Sequence, residues 1–318
     1  MDTKGRYDLF AEYEAAGSSP TYERLARAVG GSASLLELLE ELPAPKRQPN
    51  LLFASGRLLG APIDDPDDFI TYVESSWDEV SAVMREHSTQ TNEAARTATL
   101  LPVLSQLPGP IALIEVGCSA GLCLYPDRYR ISYDGQPALV ADSPVRIDVT
   151  TNGSVLIPTV LPEVVARIGI DLNPLDITDG ASQSWLEALI WPEHHARLAR
   201  LRAAMAMARH DPPLMLQGDL VDTIDDALAL VPTGATPVVF HSAVLNYISR
   251  ADRKRFAERL ARDPDIVWLS NEGPGVISGL TVDLRPPPDA GSAAFFITAR
   301  NGTDIVGISD PHGSWISW

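Results

Sequence analysis

The hydrophobic pattern of the chain changes at Pro108-Gly109-Pro110, and this change limits which folds the sequence can adopt. After that turn, short apolar runs alternate with stretches in which apolar residues recur at helical spacing. Such alternation is typical of β-α units on a mostly parallel sheet. The sequence therefore predicts an α/β domain over residues 109–318, preceded by a region of different architecture.

The strands and helices of this domain are predicted from the two apolar periods. Residues 142–180 match neither period and are rich in Pro, Asp, Asn and Gly, so we expect an insertion there, with a hairpin and an irregular loop. Ser249 and Asp252 form a capping-box pattern at the last helix, and the final two apolar runs indicate a closing hairpin. The expected strands are residues 111–116, 129–133, 213–217, 236–241, 265–270, 293–299 and 303–309, and the expected helices are residues 119–125, 181–190, 193–209, 222–230 and 250–262.

Residues 1–108 predict helices joined by short turns. Ser19 and Pro20 are typical of an N-cap and a first-turn proline, for a helix that ends near Gly30. We expect an all-helical lobe that acts as a lid and supplies substrate selectivity. Its further helices are expected at residues 34–41, 50–59, 66–86 and 91–107.

The charge of the chain excludes several classes of partner. It has 25 Lys and Arg against 42 Asp and Glu, a formal net charge of −17. Because such a field repels polyanions, we expect no binding to nucleic acid or to anionic membranes. No apolar run approaches bilayer length and no signal-peptide pattern opens the chain, so we expect a cytoplasmic protein with a small-molecule substrate.

The two cysteines, Cys118 and Cys123, are five residues apart across a predicted turn. Their side chains would point in different directions there, and no nearby histidine completes a metal-ligand spacing. We therefore expect free thiols and no metal site.

A glycine-rich turn follows the first predicted strand, in the stretch IALIEVGCSAG. Glu115 lies near the end of the strand, and Gly117, Ser119 and Gly121 then lead into a predicted helix. Glycine lets the backbone approach a ligand, and a helix N-terminus offers unpaired N–H groups. Asp134 follows the next predicted strand, where nucleotide-binding folds place an acid on the ribose. The pattern predicts a nucleotide-like ligand.

The spacing of these glycines separates the candidate cofactors. A dinucleotide fingerprint would need glycine at positions that hold Ser119 and Leu122, and no Lys-Ser or Lys-Thr pair follows to make a P-loop. The pattern E-x-G-x-x-x-G instead resembles the first motif of class I S-adenosylmethionine-dependent methyltransferases, with Ser119 in place of the central glycine. The resemblance implies S-adenosylmethionine as the cofactor, held by Glu115, Gly117, Ser119, Gly121 and Asp134.

Two later strands extend this resemblance. The stretch LMLQGDLVD ends in Gly218-Asp219, which resembles the methyltransferase motif whose acid contacts the adenine amino group. The stretch PVVFHSAVLNYIS resembles the fourth strand of that family, with His241 and Asn246 near its carboxyl end. Close helix–strand packing and ordinary turn chemistry are the alternative explanations for these glycine motifs.

His241 and Glu272 are the candidate catalytic residues. Methyl transfer to an O or N nucleophile releases a proton, so a base that titrates near neutral pH is expected. The alternatives are a structural histidine and a loop carboxylate that caps backbone N–H groups. The candidate substrate-binding residues are Gln90, Asn92, Asp171, Asn173 and Asn246.

Five longer stretches resemble an uncharacterised bacterial family, domain of unknown function 2332. The resemblance implies a methyltransferase-like Rossmann sheet with an N-terminal helical extension, and it implies little about the reaction. The family usually has alanine and asparagine where this chain has Cys118 and Cys123. The stretches are residues 89–96, 113–130, 167–179, 185–204 and 272–276.

We therefore expect a Rossmann-like class I methyltransferase sheet with an N-terminal all-helical lobe, which uses S-adenosylmethionine to methylate a small-molecule O or N nucleophile. Another reaction of the same cofactor, such as carboxypropyl transfer or cyclisation, would need the same crevice. A Rossmann protein that binds a nucleotide or a partner protein without catalysis is a further alternative, which Ser119 in place of glycine and Cys123 in place of asparagine would suit. The glycine spacing disfavours an NAD-dependent oxidoreductase.

Overall fold

A mixed, mostly parallel sheet of ten strands is the centre of the computed structural model, which describes residues 1–288, 290 and 294–318. The predicted α/β class is therefore confirmed. Strands β1–β10 are, in chain order, Pro110–Val116, Arg130–Tyr133, Arg146–Asn152, Glu163–Asp171, Leu214–Gln217, Thr236–Ser242, Val267–Glu272, Phe296–Arg300, Asp304–Ser309 and Trp315–Ser317.

The chain divides into two compact units. The first comprises residues 1–91 and 178–202, and the second comprises residues 92–177 and 203–318. All the described strands lie in the second unit, and the regular elements described in the first are helices. This division differs from the expected boundary at residue 108, because one helix before that residue belongs with the sheet.

Local capping sets several helix starts. Ser19 accepts the Tyr22 N–H ahead of Pro20, as the sequence predicts. The helix expected over residues 66–86 is two helices that meet at Ser76. In the described part of the chain, no helix is both long enough and apolar enough to cross a bilayer. Helices α1–α11 are Thr3–Leu9, Pro20–Gly31, Ala33–Glu40, Pro49–Leu58, Pro66–Ser75, Trp77–Glu86, Thr97–Leu104, Gly180–Ala188, His195–Ala208, Leu220–Ala229 and Arg250–Ala261.

Aromatic side chains form the core of the first unit. The Phe53 ring centroid lies 4.8 Å from that of Tyr22 and 5.7 Å from that of Phe69. The Trp191 ring lies 5.6 Å from Tyr22. Since each buried ring removes roughly 150–250 Å² from water, these contacts explain why residues 178–202 belong to the N-terminal helices.

The sheet has the order β2-β3-β10-β9-β8-β7-β6-β1-β4-β5. Strands β5, β4, β1, β6 and β7 are parallel neighbours, and β8 and β9 form an antiparallel pair. The hairpin expected from the last two predicted strands is therefore confirmed. It does not end the sheet, because β10 follows it and pairs with β9 and β3. Residue 293, the expected start of its first strand, lies outside the described residues.

Residues 142–180 are not an insertion with a hairpin, which corrects the sequence prediction. They supply β3, which pairs with β2 and β10, and β4, which pairs with β1 in parallel. Arg167 and Gly169 interrupt the apolar period of β4. Arg167 is largely buried in a 2.7 Å ion pair with Asp127, and a Cβ on Gly169 would lie 2.6 Å from the Cys118 sulfur. Both residue types depend on partners distant in sequence.

The core of the second unit covers one face of the central strands with α10 and α11. Ile224 of α10 and Phe256 of α11 are fully buried and pack in one cluster with Ile114 and Val239. Burial of each such side chain stabilises the fold by about 1.5–3 kcal/mol. This packing fixes the position of the strand ends from which the candidate site is built.

Candidate functional site

The carboxyl ends of the five parallel strands form one edge of the sheet. The chain places β4 and β5 on one side of β1 and places β6 and β7 on the other. Open α/β sheets bind ligands where the strand order reverses in this way, just outside the carboxyl ends. The region beyond β1 is therefore the candidate site.

The turn after β1 is left-handed at three residues and lacks the expected helix. Gly117, Ser119 and Gly121 have φ angles of 68°, 52° and 71°. The predicted helix over residues 119–125 is only a 3₁₀ turn, Leu122–Leu124, which corrects that prediction. A proline follows at position 126, and the residue before a proline disfavours helical geometry. These residues therefore offer no helix N-terminus to an anion.

Packing explains both glycines of the turn. A Cβ on Gly117 would lie 2.5 Å from the Val244 side chain, and a Cβ on Gly121 would lie 2.9 Å from Pro213. Both residues also adopt the positive φ that favours glycine. Protein side chains occupy the space beside Gly117 and Gly121, where the sequence predicted a ligand. Close packing therefore explains why both residues are glycine.

The acid beside the turn is Asp171, at the end of β4, and not Asp134. Its Oδ2 accepts the Ser119 N–H at 2.7 Å, and its Oδ1 accepts the Asn173 N–H at 2.8 Å. Asp134 follows β2, and β3, β10, β9, β8, β7 and β6 lie between β2 and β1. Its carboxylate accepts the Thr151 N–H at 2.8 Å there. The prediction that Asp134 binds the ribose assumed that the strand before it lies next to β1. That assumption is wrong, because β2 does not neighbour β1.

Asn92 holds the glycine-rich turn at two points. Its Nδ2 donates to the Cys118 carbonyl at 2.8 Å, and its Oδ1 accepts the Leu122 N–H at 3.1 Å. The side chain predicted to bind substrate thus supports the turn instead. Gln90, its companion in that prediction, is half-buried and belongs to the first unit.

Two buried side-chain oxygens at this turn have no hydrogen-bond partner among the described residues. They are Glu115 Oε2 and Ser119 Oγ. Burial raises the pKa of Glu115 well above its usual value, although a hydrogen bond from Cys123 opposes this change. The raised pKa favours the neutral acid, which can donate a hydrogen bond as well as accept one.

Both cysteines are free and buried. Burial raises the pKa of Cys118 and of Cys123, and the nearby Glu115 raises both further. Because the thiolate is the nucleophilic form, neither thiol is prepared for covalent chemistry. Within the described ranges, no group of three or more His, Cys, Asp or Glu residues is placed to hold a metal ion.

His241 is enclosed, and both of its ring nitrogens bind protein. Trp268 Nε1–H donates to His241 Nε2 at 2.9 Å. Since an indole N–H only donates, Nε2 is the acceptor and Nδ1 carries the proton, which it donates to Glu272 Oε1 at 2.7 Å. The side chain is fully buried. These contacts contradict the prediction of a base open to substrate and agree with the structural alternative.

Glu272 caps the loop that follows β6. Its Oε1 accepts the His241 Nδ1–H and also the N–H groups of Val244 and Leu245, at 2.9 and 3.0 Å. Burial opposes the charged form, but these donors outweigh it and hold the pKa of Glu272 below its usual range. The other oxygen, Oε2, has no partner among the residues that the structure describes. Glu272 is thus a buried carboxylate with one saturated oxygen.

The remaining candidates have roles in local structure. Asp219 caps α10 by accepting the Val221 N–H at 2.8 Å. A Cβ on Gly218 would collide with Thr223. Asn246 is exposed in the loop after β6. Turn and cap chemistry therefore accounts for Gly218 and Asp219 without a ligand.

Two non-glycine residues at this edge are strained. Ser119 and Ala243, beyond the ends of β1 and β6, have φ angles of 52° and 59°. Such conformations cost on the order of 1–3 kcal/mol and cluster at functional sites. The Asn271 carbonyl accepts the Ala243 N–H at 3.1 Å, and Asp171 accepts that of Ser119. The backbone is thus strained just beyond both β1 and β6, next to the point where the strand order reverses. This strain supports a functional site there.

Comparison with known proteins identifies the family. A bacterial family described as uncharacterized protein conserved in bacteria, domain of unknown function 2332, matches residues 4–318. The chain belongs to that family. No curated protein matches it. The resemblance to this family seen in the sequence is therefore confirmed. The reaction has to be argued from the geometry.

Arg96 is a site residue of this member of family 2332 that the sequence analysis missed. It is 6% exposed, and its Nη1 donates to the Ser242 carbonyl at the end of β6 at 3.2 Å. Its Nε donates to the Pro311 carbonyl at 2.9 Å, and its guanidinium lies 5.5 Å from the Phe296 ring centroid. A lone arginine ahead of the apolar stretch TATLLPVL is the signal that could have found it.

Proposed function

We propose that this member of family 2332 binds S-adenosylmethionine at the carboxyl edge of its sheet and transfers the methyl group to a small-molecule O or N nucleophile. The observation that carries the proposal is the position of Asp171. It ends the strand beside β1 and accepts a hydrogen bond from the turn that follows β1. Nucleotide-binding α/β folds use an acid in this position to bind the ribose hydroxyls.

The strand order supports the same proposal. Outward from β1 lie β4 and β5 on one side, and β6, β7 and β8 on the other. This arrangement matches the Rossmann order 3-2-1-4-5-6, except that β8 is antiparallel. A nucleoside cofactor is expected at the reversal beside β1 in such a sheet.

The residues at this edge fit the cofactor on one side of the turn. S-adenosylmethionine carries an ammonium group and ribose hydroxyls, which are hydrogen-bond donors. Glu115 Oε2 and Ser119 Oγ are buried oxygens without a partner in the described part of the chain, and Asp171 presents a carboxylate beside them. Val244 fills the space at Gly117. The cofactor would therefore lie on the Asp171 side.

The chain contributes positioning to this reaction. When bound, the cofactor supplies an electrophilic methyl group on a sulfonium, and the nucleophile must be held in line with the S–CH₃ bond. Asn92 and Asp171 hold the turn in place through three hydrogen bonds, of 2.8, 3.1 and 2.7 Å. His241 does not take the proton of the nucleophile, because both of its nitrogens are occupied by protein.

A calorimetric titration of the ligand-stripped protein tests the proposal. S-adenosylmethionine and S-adenosylhomocysteine should bind saturably with micromolar affinity, about −8 kcal/mol, while NAD and ATP should not bind. Asp171→Asn should weaken this binding at least tenfold, because it removes the charge that the ribose hydroxyls meet.

Asp134→Asn is the matched control. It makes the same chemical change after a strand at the opposite edge of the sheet. It should leave the affinity unchanged, and thermal unfolding of both variants should establish that they fold. Absence of binding by the sulfur nucleosides, or equal loss in the two variants, would overturn the proposal.

A protein that binds the nucleoside without catalysis is the second candidate. The enclosure of His241 favours it, since the base predicted from the sequence is not open to a substrate. Incubation with S-adenosylmethionine and a panel of amines and alcohols separates the two candidates. Formation of S-adenosylhomocysteine favours the transferase, and tight binding without turnover favours the second candidate.

A further inference from the structure

The site residues described so far leave the proton of the nucleophile without an accessible acceptor. Both ring nitrogens of His241 are bonded to protein. Burial raises the pKa of Glu115 and favours its neutral form, and Glu272 is only 2% exposed. Asp171 holds the turn after β1 with both of its oxygens. A general base must come within hydrogen-bond reach of the proton, so another group is needed at this edge.

The turn between β9 and β10 lies at the same edge of the sheet. Strand β9 runs parallel to β6, because β7 is parallel to β6 and β8 is antiparallel to both β7 and β9. The pairing places Gly307 of β9 level with Ser242, the last residue of β6. Since a strand rises about 3.3 Å per residue, the chain after Ser309 lies beyond the end of β6.

Arg96 connects this turn to β6. Its Nε donates to the Pro311 carbonyl at 2.9 Å, and its Nη1 donates to the Ser242 carbonyl at 3.2 Å. Because one planar guanidinium makes both bonds, the two carbonyl oxygens lie within about 9 Å of each other. Arg96 is 6% exposed, so this bridge is largely shielded from water. The turn is therefore held beside the carboxyl end of β6.

Packing and side-chain capping fix the shape of the turn. Gly313 has a φ of 78°, and a Cβ there would lie 2.3 Å from the Ala95 carbonyl oxygen, so only glycine fits. Asp310 Oδ2 accepts the N–H groups of His312 and Ser314, at 2.9 and 3.1 Å. His312 itself is exposed. The braced turn thus presents an imidazole to solvent at this edge, and catalytic residues are often carried by loops on such a scaffold.

We propose that His312 is the general base of the transferase and takes the proton of the O or N nucleophile. The inference rests on the proposed function, and imidazole is the commonest general base in enzymes. The nucleophile forms its bond to the methyl carbon as the methyl–sulfur bond breaks, and the electron pair of that bond stays on sulfur. The proton of the nucleophile passes to a ring nitrogen of His312, and the imidazolium then releases it to water.

The position of the turn agrees with the place proposed for the cofactor. Asp171 ends β4 on one side of β1, and Ser242 ends β6 on the other side. Neighbouring strands are about 4.8 Å apart, so these two strand ends are roughly 10 Å apart. A ribose held by Asp171 leaves the β6 side of the edge to the nucleophile. This is the side to which Arg96 connects the turn that carries His312.

Introduction of a charge at residue 312 tests this placement without turnover. S-adenosylmethionine carries a sulfonium charge that S-adenosylhomocysteine lacks, so a charge near the methyl group changes the ratio of the two affinities. His312→Lys should lower the preference for S-adenosylmethionine about threefold, and His312→Glu should raise it by a similar factor, both measured by calorimetry. His210→Lys and His210→Glu, at an exposed histidine after α9, are the matched controls and should leave the ratio unchanged.

The rate of S-adenosylhomocysteine formation tests the base itself. With an amine or alcohol that the protein methylates, His312→Gln should slow the reaction about 100-fold while S-adenosylmethionine still binds. Imidazole added to the buffer should restore part of the rate, because it can take the proton in place of the missing side chain. His210→Gln is the matched control and should react at the wild-type rate.

The two experiments separate this inference from the proposed function. An unchanged affinity ratio in the His312 variants, or a full rate in His312→Gln, would overturn the base assignment alone. Tight binding without turnover of any amine or alcohol would also overturn it, because a protein without catalysis needs no base. Absence of S-adenosylmethionine binding would sink the proposed function and the base assignment with it.

Discussion

Glu115 and Glu272 are buried carboxyl groups at the same edge of one sheet, yet their surroundings favour opposite protonation states. They are 6% and 2% exposed, and each has one oxygen without a partner among the described residues. Burial raises the pKa of Glu115, whereas at Glu272 burial is outweighed by three donors, which lower the pKa. The donors around a buried acid, more than its depth, decide its charge.

Removal of the Glu272 carboxylate should have the largest effect. Glu272→Ala leaves the His241 Nδ1–H and the backbone N–H groups of Val244 and Leu245 buried without an acceptor. We expect a loss of about 3–5 kcal/mol in the free energy of unfolding, measured by urea denaturation. A loss below about 1 kcal/mol would show that Glu272 Oε1 does not organise the loop after β6.

Removal of the Trp268 N–H, which donates to His241, should have the second largest effect on stability. Trp268→Phe deletes the N–H that occupies Nε2, and we expect a loss of about 2 kcal/mol. Trp315→Phe is the control, since the buried Trp315 Nε1 has no partner in the described residues and only volume is lost. Similar losses in both variants would contradict a role for this hydrogen bond.

The pH dependence of stability should separate the two acids by sign. The pKa of Glu272 is lower in the folded state, so its contribution is present above its ordinary value of 4.5 and is lost as the pH falls through the folded pKa. The pKa of Glu115 is higher in the folded state, so its contribution is present at acid pH and is lost as the pH rises above 4.5. A tenfold change in either acid's ionisation constant on folding corresponds to about 1.4 kcal/mol of stability.

Urea unfolding across the acid and neutral range checks these signs. Glu272→Gln should flatten the acid limb of the stability profile, and Glu115→Gln should remove a decline above pH 4.5. If both variants flatten the same limb, the two acids do not differ as described.

Replacement of Glu115 by its amide should have the smallest effect. Glu115→Gln exchanges a neutral acid for a neutral group of the same shape, so we expect a change below about 1 kcal/mol at a pH below 4.5, where the acid is neutral in both the folded and the unfolded chain. A loss as large as that of Glu272→Ala in the same urea experiment would mean that Glu115 is ionised in the folded protein.

Local signals in the sequence predicted much of the secondary structure. Ser19 caps α2, and Ser249 accepts the Asp252 N–H at 3.1 Å at the start of α11. Strand β1 lies within a residue of its predicted bounds and is buried as expected. Such features depend on residues within about four positions of each other, so they can be predicted from the sequence alone.

Predictions that required strand neighbours were wrong. Asp134 was placed beside the turn because its strand comes second in the chain, but pairing gives that position to β4 and Asp171. His241 was predicted to be a catalytic base at a strand end, but Trp268 and Glu272 of β7 occupy both of its ring nitrogens. Strand order and enclosure are set by contacts between distant segments, which no local pattern encodes.

The sequence by itself determined that this chain forms β-α units, belongs to family 2332, and turns through glycine after its first strand. Only the tertiary structure decided which acid meets that turn and which carboxyl group is charged. The physical reason is that apolar period and turn chemistry act over a few residues. Burial and hydrogen-bond partners, which set pKa and exposure, exist only after distant strands have paired.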